Sequence, residues 1–198
     1  DIDIVLMTHM HHDHSGGLTY VNNQGKLVSK YPNAKIIVND VEWYEMRNPN
    51  NRTRGTYLRE NWEPIQDQVT TFSEYINVIP EIQMIHTSGH SNGHSIILLK
   101  QGKDTMIHMG DLMLSHVHRN PLWVPAVDDY PMKSILAKEK WVRQAFENHY
   151  KFFFYHDQFF AVVEFDKEGK ELVDYVLRSR PPLIPFTDEQ DRKPDFLG

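Results

Sequence analysis

An apolar run, Ile4–Met7, opens directly into His9-Met-His-His-Asp-His14 and then into Ser15-Gly-Gly17. A short buried strand ending in a tight, ligand-rich loop constrains this chain more than any other stretch. Imidazole and carboxylate groups crowded at a strand end point to a bound cation, and the glycines beyond them let the backbone bend around it. On an extended segment, residues two apart project to one face, so His9 and His11 can grip one ion. Asp13 and His14 lie where the chain turns and can face a second ion beside the first. His12 has the opposite parity to His11 and is expected to point away.

Two ions need further ligands, and the chain has no cysteine, so these must come from nitrogen and oxygen donors. Three more strand ends supply them. His90, in Gly89-His-Ser-Asn-Gly-His94, follows a strand read at Ile82–His86. Asp111 follows Thr105–Met109, and His156 follows Phe152–Phe154. Elsewhere, Ala34–Val38 reads as a buried strand leading to a helix capped by Asn39 or Asp40 and running through Met46. Leu18–Val21 reads as the start of a helix, and Met132–His149 as an amphipathic helix. Further strands are read at Ser95–Leu99, Ala161–Phe165 and Leu172–Leu177, and the tail from Pro181 as extended. Strands alternating with helices give an α/β layered class.

Composition narrows the function. The net charge of −6 and the lack of a basic stripe argue against nucleic acid as a partner. No apolar run approaches the roughly 18 residues of a membrane helix, so no membrane partner is expected. The absence of disulfides is compatible with a cytoplasmic setting. A length of 198 residues suits one domain, 1–198, with a cap or insertion at 47–70, where the sequence turns polar before Tyr57, Leu58, Trp62 and Ile65.

Taken in order, HxHxDH, the GHxxGH histidine, a lone aspartate and a late histidine resemble the metallo-β-lactamase superfamily from Ile4 to about His156. The resemblance implies a four-layer αββα sandwich with metals at one edge of two sheets. It implies His9, His11 and His90 on the first metal, and Asp13, His14 and His156 on the second, with Asp111 bridging. The cofactors it implies are two divalent ions, Zn²⁺ first, with Mn²⁺, Fe²⁺ or Co²⁺ as alternatives. Asp111 stands where some true β-lactamases use cysteine, which disfavours antibiotic hydrolysis.

Within the superfamily, YPNAKIIVNDVEWYEMRNP, ENWEPI and HMGDLM followed by NPLWV look closest to the N-acyl-homoserine lactone lactonases. That implies a lactone or ester as the small-molecule substrate, opened by metal-bound hydroxide, with Asp13 passing a proton to the leaving group and Asp111 fixing the metal spacing. Tyr44, Met46, Tyr57, Trp62, Leu122 and Trp123 are candidates for an apolar wall around an acyl chain. Alternatives are a thioesterase, an organophosphate hydrolase resembling methyl parathion hydrolase, or a non-catalytic metal-binding protein. Two positions depart from the lactonase pattern: His12 fills a spacer that is often aromatic, and Leu114 stands where many lactonases carry a tyrosine. His94 is expected to orient the His90 loop, and His116 and His118 to line the pocket entrance. Because a buried strand begins almost at Asp1, an N-terminal truncation is expected, leaving one sheet without its first strands. A homodimer is a further expectation.

Overall fold

The computed structural model describes residues 2–179. The chain begins with β1 (Ile4–Leu6), a one-turn helix α1 (His12–Ser15), and a hairpin of β2 (Thr19–Val21) and β3 (Leu27–Ser29). It continues through β4 (Lys35–Asn39), α2 (Asp40–Arg47), α3 (Arg59–Trp62), β5 (Val69–Phe72), β6 (Tyr75–Ile79) and β7 (Ile82–His86). Then follow β8 (Ser95–Gln101), β9 (Asp104–His108), the long helix α4 (Pro131–Glu147), β10 (Lys151–Phe153), β11 (Phe160–Phe165) and β12 (Leu172–Leu177).

Alternation along the strands decides the layers, because successive side chains point to opposite faces. In β4, Ile36 and Val38 face outward onto α2, packing with Trp43, Met46, Tyr57 and Ile65. Ile37, between them, faces inward and meets Phe72, Met84 and Ile97. In β8 the same switch occurs: Ile97 faces inward, and Ile96 and Leu98 face α4, packing with Trp141, Val142 and Ala145. The order is therefore helix, sheet, sheet, helix, the αββα arrangement that the sequence resemblance implies.

One sheet has three parallel strands in the order β1-β4-β5, and the other has seven in the order β12-β11-β10-β9-β8-β7-β6. Within the larger sheet only β9 and β10 run parallel, with α4 as their crossover. A backbone bond from Ser95 N to Thr8 O (2.8 Å) ties the start of β8 to the loop after β1 and joins the two sheets. The loops after β1, β7, β9 and β10 consequently meet along one edge.

Several sequence expectations need correction. Leu18–Val21 is not a helix start: Thr19–Val21 pairs antiparallel with Leu27–Ser29. Asn22 Oδ1 accepts from Gln24 N and Lys26 N, and Gly25 (φ 74°) closes the turn, a conformation glycine adopts freely. Strands β5 and β6 add to those read from the sequence. Segment 47–70 holds 3-10 turns at Thr53–Gly55 and Glu63–Gln68 around α3, and its Tyr57 and Ile65 enter the core. The tail from Pro181 lies outside the described residues.

Candidate metal centre

Each ligand-bearing loop is held where a strand ends. β1 stops at Leu6, so His9 and His11 sit in the loop beyond it and not on the strand itself. The chain then turns into α1, whose Ser15 hydroxyl donates to Met10 O and His11 O and tightens the bend. This turn carries Asp13 and His14. Asp111 lies in a 3-10 turn after β9 that Gly110 opens with φ 51°, where a Cβ would stand 2.4 Å from His94 Nε2.

Two ligand groups result. Donor atoms of His9, His11 and His90 lie within 4.8 Å of one another, and so do those of Asp13, His14, Asp111 and His156. Asp111 reaches both groups. Its Oδ2 is 3.4 Å from His90 Nε2 and 3.9 Å from His9 Nε2, and its Oδ1 is 3.1 Å from His14 Nε2 and 3.4 Å from His156 Nε2. Asp13 Oδ2 lies 3.4 Å from His14 Nε2 and 3.3 Å from His156 Nε2. The structure thus brings together all seven residues expected from the sequence. His12 is exposed and belongs to neither group.

The donor chemistry fits a pair of divalent cations. His11 Nδ1 faces His90 Nε2 at 2.9 Å, and His14 Nε2 faces His156 Nε2 at 3.1 Å. Ligand atoms about 2.0–2.1 Å from a tetrahedral zinc stand roughly 3.3 Å apart, close to these spacings. His9 Nε2 and Asp111 Oδ1 are buried with no hydrogen-bond partner, a costly state that a cation would relieve. Burial, and then the neighbouring rings, push His9 well below its ordinary pKa, and burial with His90 pushes His11 down to about 3. Both rings are therefore neutral at pH 7, the form that metal coordination requires. Burial alone would raise Asp111, but the ring nitrogens of His14 and His156 hold it far below the usual carboxylate range.

Around the two groups stands a set of supporting contacts, of which the sequence points to His94 alone. His90 Nδ1 donates to Asp128 Oδ1 (2.8 Å), leaving Nε2 as the nitrogen that faces His11 and Asp111, and Asp128 Oδ2 accepts from Ser134 Oγ (2.5 Å). Burial pulls His90 down, but the Asp128 hydrogen bond and the nearby carboxylates outweigh it, so its pKa is raised. His94 accepts from the Asp111 amide through Nε2 (3.2 Å), with Nδ1 against Thr87 Oγ1 (3.0 Å). It therefore anchors the Asp111 loop as well as its own. Arg178 donates to the carbonyls of Phe154, Tyr155 and Asp157, bracing the loop of His156. Tyr155 packs on His14 and His156, and its hydroxyl donates to Asp13 O (3.0 Å).

The remaining histidines have structural partners. His86 bonds Asn92 O, His108 bonds Phe153 O, and His149 faces Glu164. His116 pairs with Asp157 at 2.6 Å and His118 with Ser115 at 2.8 Å, and neither joins a ligand group. Of the residues expected to wall an acyl chain, Met46 and Tyr57 are core and Trp62 packs on that core, whereas Tyr44, Leu122 and Trp123 are exposed.

Comparisons with known proteins place the chain in one superfamily. The sequence profile of the family described as the Metallo-beta-lactamase superfamily matches residues 1–144. An N-acyl homoserine lactonase of Bacillus cereus is 28% identical over 107 residues, covering 54% of this chain and 36% of that protein. A hydroxyacylglutathione hydrolase of Prochlorococcus marinus (strain MIT 9312) is 26% identical over 115 residues, covering 58% and 37%. The chain thus spans little more than a third of the length of these curated relatives. Among solved structures, a probable metal-dependent hydrolase from Staphylococcus aureus superposes with a TM-score of 0.86 at 40% identity, covering 92% of this chain and 64% of that one. A dizinc quorum-quenching lactonase in complex with its product superposes with a TM-score of 0.73 at 18% identity, covering 92% and 66%, and shows the shared fold.

Proposed function

The chain belongs to the metallo-β-lactamase superfamily, and we propose that it acts as a dinuclear-metal hydrolase that opens a lactone ring, with N-acyl-homoserine lactones as the substrate class. The observation that carries this reading is Asp111, whose two oxygens face the two ligand groups separately. In the proposed assignment His9, His11 and His90 hold one ion, Asp13, His14 and His156 hold the other, and Asp111 bridges. Zinc suits these nitrogen and oxygen donors best, with manganese, iron or cobalt as alternatives. Two such ions supply a water acidic enough to serve as nucleophile near neutral pH and positive charge for the carbonyl oxygen.

The chain's own residues do the rest. Asp13 is the one carboxylate of the set with substantial exposure, 41% at its side chain, so it can carry a proton to the departing alkoxide at the mouth of the site. Asp128 holds the His90 proton on Nδ1 and keeps Nε2 directed at Asp111. With Leu114 where a tyrosine would stand, no phenol at that position assists the carbonyl oxygen. A thioesterase is the second reading, favoured by the similarity to a hydroxyacylglutathione hydrolase. No helix among the described residues is long and apolar enough to cross a membrane. A cytoplasmic setting and a homodimer remain part of the proposal.

The test is parallel kinetics of the metal-loaded protein on a homoserine lactone, a thioester and paraoxon. Lactone opening with the highest kcat/KM supports the reading, and a thousandfold preference for paraoxon or the thioester overturns the substrate. His11→Ala retaining full activity and full metal content overturns the metal assignment.

A further inference from the structure

Helix α2 carries a glutamate whose whole side chain is out of contact with water. Glu42 is 0% exposed, lies in no ligand group, and has no role in the proposed chemistry. Burying a carboxylate costs several kcal/mol, and apolar residues of similar volume often replace buried ionic groups without loss of stability. Its presence at this point of the core therefore calls for a reason beyond packing.

The reason lies in where its hydrogen bonds go. Glu42 Oε1 accepts from Met10 N (2.8 Å), the amide between His9 and His11. The same oxygen accepts from Tyr57 OH (3.0 Å), and the Tyr57 ring packs on the His11 ring at 5.2 Å between centroids. Glu42 Oε2 accepts from Ser91 Oγ (2.6 Å), the residue after His90. Each bond thus ends beside a different member of the first ligand group: the backbone joining His9 to His11, the face of His11, and the His90 loop. The fit is close, because a Cβ at Gly93 would stand 2.1 Å from Glu42 N, so no larger residue can separate this loop from α2. None of these bonds touches Asp13, His14 or His156.

We infer that Glu42 is a positioning residue that fixes His9, His11 and His90 relative to one another and so sets the affinity and geometry of the first ion alone. The inference rests on the metal assignment proposed above. A carboxylate is the suitable group, since it accepts from all its donors at once and a neutral side chain of this size cannot do so with both oxygens. Glutamine comes nearest: its carbonyl can keep Met10 N and Tyr57 OH, and its amide can donate to a rotated Ser91 hydroxyl.

The test is a Co²⁺ titration of the full 198-residue chain and its Glu42→Gln, Glu42→Leu and Ser91→Ala variants, followed by visible absorption and by chelator competition. Loss of a residue that orients metal ligands typically weakens metal affinity about 10–100-fold. Glu42→Leu is expected to weaken one of the two Co²⁺ equivalents by about that factor and to shift its absorption bands. Glu42→Gln is expected to restore both, Ser91→Ala to fall between, and the other equivalent to be unchanged throughout. Lowered thermal stability with wild-type affinity and spectrum in Glu42→Leu and Ser91→Ala overturns the inference. If Glu42→Leu fails to fold, Ser91→Ala decides, since it breaks only the bond beside His90. No Co²⁺ binding by the unsubstituted chain would instead overturn the metal assignment itself, and this inference with it.

Discussion

Asp128 offers the sharpest quantitative prediction. Its side chain is fully buried, and its oxygens are used by His90 Nδ1 at 2.8 Å and Ser134 Oγ at 2.5 Å. Asp128→Ala removes both acceptors and leaves two buried donors facing a void. Hydrogen bonds to a charged group are each worth about 1.5–3 kcal/mol, but the relieved desolvation of the carboxylate offsets part of the loss. A net destabilisation of about 2–4 kcal/mol follows. His90 also loses the partner that keeps its proton on Nδ1, which predicts a fall in metal affinity of about 10–100-fold. Asp128→Asn separates the two effects. Its carbonyl can still accept from His90 and its amide can donate to Ser134, so the geometry survives while the charge does not. Urea unfolding of the metal-free protein reads the first quantity, and Zn²⁺ competition against a chromophoric chelator reads the second. Asn close to wild type with Ala strongly impaired is the expected pattern. Wild-type Zn²⁺ affinity in Asp128→Ala would refute the view that this carboxylate sets the His90 tautomer.

Three further outcomes are expected. Arg178→Ala removes the donor to three carbonyls of the His156 loop and should weaken the ion held by Asp13, His14 and His156 while sparing the other, as read by metal analysis after graded chelation. Gly93→Ala drives a Cβ into Glu42 backbone atoms 2.1 and 2.4 Å away and should cost about 1–3 kcal/mol or more in urea unfolding; an unchanged midpoint would contradict the close packing. Burial lowers the buried Lys138, which donates to Asn120 O and Trp123 O, to about 8. Because the unfolded chain then binds more protons than the folded one between about pH 8 and 10.5, this residue's contribution to stability rises with pH across that window. Lys138→Met should remove that slope from the difference between the two proteins.

The layers were legible where one pattern dominated. Ile36–Val38 is apolar on both faces because β4 is covered on both, by α2 and by the larger sheet, and such a run admits few readings. The hairpin of β2 and β3 was not, since Gly16-Gly17 followed by Leu18 imitates a helix start, and Tyr20 and Val21 are exposed, giving no alternation to follow. Its available signal was the Asn22 to Gly25 turn. Strands β5 and β6 escaped for a related reason: Thr70, Thr71 and Asn77 interrupt their apolar sides, and their places are set by pairing with β4 and β7.

The proposed ligands and their supports differ in how they are written into the chain. A cation selects by element and charge, so the residues that can meet it are few in kind and stand at strand ends with glycine beside them. That restriction is visible without a structure, and it is why His9, His11, Asp13, His14, His90, Asp111 and His156 could be named together. Glu42 and Asp128 obey no such restriction. Glu42 sits in the first turn of α2, where an acidic residue is ordinary on dipole grounds, and its partners lie 32 and 49 residues away at Met10 and Ser91. Asp128 is one of two adjacent aspartates ahead of α4, and only burial distinguishes it from exposed capping carboxylates. What makes both residues significant is which loops they reach, a property of the folded edge and not of the sequence around them. The same asymmetry predicts where substitutions will mislead: at a ligand the loss is chemical and obvious, whereas at Glu42 or Asp128 it will look like ordinary destabilisation unless each ion is measured separately.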